Sequence, residues 1–103
     1  MNDKLISVII PAYNTEEFID KCLQSVVKQT YRNMQIIVVN DGSEDGTEDI
    51  ILRYARNDKR IEYYKQKNQG YGAVCQAALS KARGEYLAFI DSDDIIAADY
   101  IKN

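Results

Sequence analysis

Four short runs of apolar, largely β-branched residues alternate with three stretches whose apolar residues recur at helical spacing. The runs are Leu5 to Ile10, Gln35 to Val39, Ile61 to Tyr64 and Tyr86 to Ile90. Strands that are apolar almost throughout need cover on both faces, which calls for a parallel sheet flanked by helices. Between them, Phe18, Ile19, Cys22, Leu23, Val26 and Val27 make one stripe, and Thr47, Ile50, Ile51, Tyr54 and Ala55 a second. Ala73, Val74, Ala77, Ala78 and Ala82 make a third, built of small residues that allow close approach to a sheet. Pro11 is expected to end the first strand, having no N–H to give. Asn14 with Glu17 reads as the reciprocal N-cap of the first helix, and Gly84 as the C-cap of the third. Ala97 to Lys102 reads as the start of a fourth helix.

The order is therefore β-α-β-α-β-α-β. Right-handed crossovers then give a three-layer α/β/α domain on a mostly parallel sheet. The expected strand order is 3-2-1-4, with the first strand central. Ligands in open sheets of this kind sit at the carboxyl ends of the strands, beside the point where the order reverses. Here that point lies between the first and fourth strands.

With 103 residues, 46% of them hydrophobic and 28% charged, the chain has the size and composition of one globular domain. A formal charge of −3 with no basic stripe argues against nucleic acid and anionic membrane as partners. The absence of histidine excludes a Ser-His-Asp triad, a Cys-His pair and any His-ligated metal. Cys22 and Cys75 form no CxxC and are expected to be buried free thiols. Met1 to Lys4 run straight into the first strand and no apolar run approaches the roughly 20 residues of a membrane span, so a cytoplasmic location is expected.

The four strand ends carry the chemistry. After the first strand, Pro11-Ala12-Tyr13-Asn14 serves as a strand stop and cap, or offers the Tyr13 ring to a flat base. After the second, Asp41 and Gly42 form a tight turn. That turn is an ordinary cap, or a carboxylate able to accept from a base N–H beside a glycine that leaves room for it. After the third, Gly70-Tyr71-Gly72 fails as a dinucleotide fingerprint, because Cys75 stands where the last glycine belongs. It is read as a flexible loop with backbone donors near a helix N-terminus. After the fourth, Asp91, Asp93 and Asp94 crowd three carboxylates into four residues. A helix cap uses one or two of them. A hard divalent cation bound through oxygen accounts for all three. A phosphatase-type Asp-x-Asp-x-Thr loop would follow the first strand and end in Thr or Val, not Ile95, and a receiver domain would want an acidic pair where Pro11 to Asn14 stand.

Three segments together, Ser7 to Asn14, Val39 to Ser43 with Thr47, and Gly84 to Asp94, resemble the N-terminal half of a family 2 glycosyltransferase, the Rossmann-like GT-A fold. That resemblance covers essentially all of residues 1–103. It implies an inverting, metal-dependent transferase that uses a nucleotide-diphosphate sugar, most often UDP-linked, with Mn²⁺ or Mg²⁺. It further implies that Pro11, Ala12, Tyr13 and Asn14 line the nucleoside pocket, that Asp41 hydrogen-bonds the base beside Gly42, and that Asp91 and Ser92 lie near the ribose. By the same resemblance Asp93 bridges the metal, with Asp91 and Asp94 as further candidates. Val74-Cys75-Gln76 departs from the family's Ala-Arg-Asn. The general base and the residues for a glycan or lipid-linked acceptor belong to a second half, so no catalytic residue is assigned in this chain. A homodimer through an unpaired sheet edge is expected, and the reading from another class is a noncatalytic α/β binding or assembly module.

Overall fold

The computed structural model describes residues 4–101. Four strands, β1 (Ile6–Ala12), β2 (Met34–Asn40), β3 (Ile61–Lys65) and β4 (Tyr86–Phe89), form one parallel sheet in the order β3-β2-β1-β4. The crossovers are helices α1 (Ile19–Val27), α2 (Thr47–Asn57) and α3 (Tyr71–Lys81). Strand residues alternate between two cores, as the two-residue period of a strand requires. Val8, Ile10, Ile36 and Val38 pack with Ile19, Leu23 and Val26 of α1 and Ile51 of α2. Ile9, Ile37 and Val39 pack with Val74 and Ala78 of α3. The expected three layers and strand order are present.

Several local expectations are corrected. Pro11 does not end β1, since Pro11 pairs with Val39 and Ala12 with Asn40. The Ile9 carbonyl accepts from Ile90 on the β4 side. Pro11 shares that orientation but lies past the end of β4, so its missing N–H costs no ladder bond. Asn14 does not cap α1, which begins after a turn at Phe18 and has no side-chain cap. Phe18 itself is exposed rather than part of the stripe. Gly84 is not a C-cap, because α3 ends at Ala82 in extended backbone. It is glycine for another reason: a Cβ there would lie 2.6 Å from the Ser7 backbone nitrogen. Residues 97–101 form turns rather than a fourth helix, and the remainder of that expected helix lies outside the described residues. This segment is tied to the turn after α1 instead. Buried Gln29 donates to the Ala97 carbonyl and accepts from the Ile101 N–H.

The strand that departs furthest from the buried pattern is β4. Tyr86, Leu87 and Phe89 are all exposed, and no further strand pairs with it among the described residues. Cys22 is buried and free, whereas Cys75 is only half-buried. No helix among the described residues is long and apolar enough to cross a membrane.

Candidate functional site

The carboxyl ends of all four strands frame one cleft of about 430 Å³. Pro11, Ala12, Tyr13 and Thr15 come from the end of β1, Asp41 from the end of β2, and Asp91, Ser92 and Asp93 from the end of β4. The β3–α3 loop and first turns of α3 add Asn68, Gly70, Tyr71 and Val74. Asp41 and Asp93 thus face a common hollow, at the switch point between β1 and β4 where such sheets bind ligands. None of the lining residues is a lysine or arginine. Tyr13 and Tyr71 are two exposed aromatic walls. The Thr15 hydroxyl, also on the wall, is buried without a hydrogen-bond partner among the described residues.

Asn14 and Gly42 do not line the cleft. Asn14 sits at φ +49 and joins the β1 end to the β2 end: its N–H donates to Ser43 Oγ (2.9 Å) and its Oδ1 accepts from the Glu44 N–H (2.9 Å). Gly42, at φ +77, packs on the Asn68 backbone, where a Cβ would lie 2.8 Å from the Asn68 nitrogen. Both positions support the site rather than form its surface. The two loops are further sewn together by Thr15 N–H to Thr47 Oγ1 (2.9 Å), Glu16 N–H to Asp45 Oδ2 (3.2 Å) and Gly46 N–H to Glu16 Oε1 (3.1 Å).

Asp41 is only 5% exposed, and both of its oxygens accept hydrogen bonds. Burial alone would raise its pKa, but donation by the Gln66 side chain and the Gln69 and Gly70 N–H groups holds it below the ordinary carboxylate value. The acidic group after β4 is different in kind. Asp91, Asp93 and Asp94 are exposed, and one oxygen of each lies within 4.8 Å of the others. No hydrogen bond or ion pair reaches these side chains among the described residues. The Asp94 N–H closes a tight turn on the Asp91 carbonyl (3.0 Å), which holds the carboxylates together. Behind them, burial foremost and then the charges of Asp94, Asp93 and Asp91 push the Cys22 thiol up to about 12. An all-oxygen set of this kind fits a hard divalent cation such as Mn²⁺ or Mg²⁺.

Sequence reasoning missed Thr15, Asn68, Gly70, Tyr71 and Val74 as wall residues. Only a position after the third strand end could have suggested the last four, because the loop turns inward through non-local bonds to Asp41.

The sheet, its switch point and the cleft define a doubly wound α/β domain with its site at the strand tips. The sequence profile described as Glycosyl transferase family 2 matches residues 7–103, and the chain belongs to that family. It has the GT-A arrangement expected. EpsH of Bacillus subtilis, a protein with a glycosyltransferase name, is 48% identical over 102 residues, covering 99% of this chain and 30% of EpsH. The structure of S. aureus TarS 1–349 in complex with UDP-GlcNAc superposes with a TM-score of 0.83 at 36% identity, over 90% of this chain and 28% of that one. The mannosyltransferase PcManGT from Pyrobaculum calidifontis, in complex with GDP-Man and Mn²⁺, gives 0.82 at 26% identity, over 87% and 28%. The chain therefore spans less than a third of the length of each of these relatives.

Proposed function

We propose that this chain is the donor-binding part of a metal-dependent glycosyltransferase that takes a nucleotide-diphosphate sugar, with UDP as the preferred nucleotide. The observation that carries the reading is the pairing, on one cleft, of a cluster of unpartnered carboxylates with a buried carboxylate held in place opposite. Tyr13 offers a face on which a base can stack, and Tyr71 a second. Asp41 and Ala12 border the nucleoside side, while Asp91 and Ser92 border the ribose side. Asp93 is the principal ligand for Mn²⁺ or Mg²⁺, helped by Asp91 or Asp94. The cation supplies charge neutralisation and Lewis-acid stabilisation of the departing phosphate. A cleft that is acidic and has no lysine or arginine on its wall repels a bare diphosphate, so nucleotide binding is expected to require the metal. The UDP-GlcNAc complex of TarS and the Mn²⁺ complex of PcManGT support the choice of donor and ion.

No side chain here is assigned as the base that deprotonates the acceptor hydroxyl. The glycan or lipid-linked acceptor, the inverting course and a cytoplasmic setting at the inner membrane face are proposed for the longer protein. Titration calorimetry with UDP tests the reading. Binding with Mn²⁺ and loss of binding in EDTA are expected, while metal-independent heat or none at all would refute it. The bare β4 edge also supports weak self-association through this strand. Light scattering would then give a mass that rises with concentration, whereas a constant monomer mass would refute the pairing.

A further inference from the structure

Asp41 is gripped from three directions. Its Oδ1 accepts from Gln66 Nε2 (3.0 Å) and from the Gln69 N–H (2.9 Å), and its Oδ2 accepts from the Gly70 N–H (3.0 Å). These are charge-assisted bonds to a buried carboxylate, the stronger kind. Two of the donors are backbone groups of the loop that carries Asn68, Gly70 and Tyr71 into the cleft. Gly70 is held at φ +95 and ψ 169, a conformation essentially reserved for glycine, so the loop has one defined course there. The third donor, Gln66, is not on the cleft wall at all. It lines a separate shallow hollow with Gly42, Ser43 and Asn68. Its own backbone N–H continues the sheet register by donating to the Asn40 carbonyl (3.0 Å).

We infer that Gln66 is a positioning residue for nucleotide binding, acting through Asp41 rather than by contact with the ligand. It fixes the carboxylate so that the remaining lone pairs hold the Gln69 and Gly70 amides, and those amides set where the α3 side of the cleft stands. This rests on the nucleotide-binding reading above. Two substitutions of similar size separate positioning from packing. Gln66→Met removes the donor and keeps the bulk, whereas Gln66→Glu sets a second carboxylate against the first. UDP affinity in Mn²⁺ is expected to fall about three- to tenfold for Gln66→Met and more than tenfold for Gln66→Glu, the Met loss being smaller than a full hydrogen bond to a charge because Gln66 acts only through Asp41. Amide exchange at Gln69 and Gly70, read without nucleotide, should quicken in both variants, and the melting temperature should fall less for Gln66→Met than for Gln66→Glu. In an Asp41→Asn background, Gln66→Met should add less than twofold, since the shared route is already cut. Equal effects of Met and Glu, or effects of Gln66→Met and Asp41→Asn that simply multiply, would overturn the inference. If wild type binds no UDP the functional reading fails, and unchanged exchange in Gln66→Met would separately overturn the clasp.

Discussion

The carboxylates around this cleft fall into two groups with opposite uses. At the ends of β1 and β2, Asp41, Asp45 and Glu16 accept backbone N–H groups from neighbouring loops. Hydrogen bonding holds Asp41 and Asp45 below their ordinary pKa, against the opposing pull of desolvation. At the end of β4, Asp91, Asp93 and Asp94 crowd together in solvent with no such donors among the described residues. A carboxylate that closes a loop belongs to the fold. Three carboxylates that repel one another and take no donor among the described residues are free to hold a cation. The difference teaches that acidity at a strand tip says little until the donors around each oxygen are known.

The contrast is most sharply tested at Asp93. Asp93→Ala should abolish the thermal stabilisation by UDP with Mn²⁺ and weaken the complex by tenfold or more, while the ligand-free protein melts no lower than wild type, because like-charge repulsion is relieved. A lower melting temperature without ligand would move Asp93 into the structural group. Acid pH gives the next effect. Groups with depressed folded-state values contribute stability that is fully present above their ordinary pKa of 3.8 and is lost as pH falls through the lower folded value. Denaturant melts should therefore weaken below about pH 4, and Asp41→Asn should flatten that decline. The smallest effect belongs to Asp45→Ala, an exposed carboxylate that accepts from the Thr47 N–H at the start of α2 (2.9 Å). It should cost roughly 0.5–1 kcal/mol in urea melts, the lower part of the range for helix-end acceptors, and leave UDP binding unchanged.

The sheet was legible because β1, β2 and β3 are apolar through most of their length, and the strand order is the common one for doubly wound sheets. The core stripes on α1 and α2 were legible from their period. What failed was local reading of residues whose partners are distant. Asn14 has the look of a cap three residues before Glu17, yet its side chain bonds Glu44 in the loop after β2, thirty positions away. Gly84 has the look of a C-cap, yet Ser7, seventy-seven positions back, is what excludes a side chain there. Tyr71 and Gly70 carried no visible motif, because the bonds that bring them to the site run to Asp41. The crowding of Asp91, Asp93 and Asp94 was readable for the reverse reason: it follows from their adjacency in the chain, not from a distant partner.

Paramagnetic broadening of the amide spectrum measures most directly where a cation settles. With substoichiometric Mn²⁺ and UDP, the signals of Ile90 to Asp94 should fade first, followed by those of Ala12, Tyr13 and Gly70 across the cleft, while Asp45 and Glu48 stay sharp. Broadening centred on Asp45 to Asp49, or spread evenly over the acidic surface, would contradict the assignment of the β4 carboxylates to the metal.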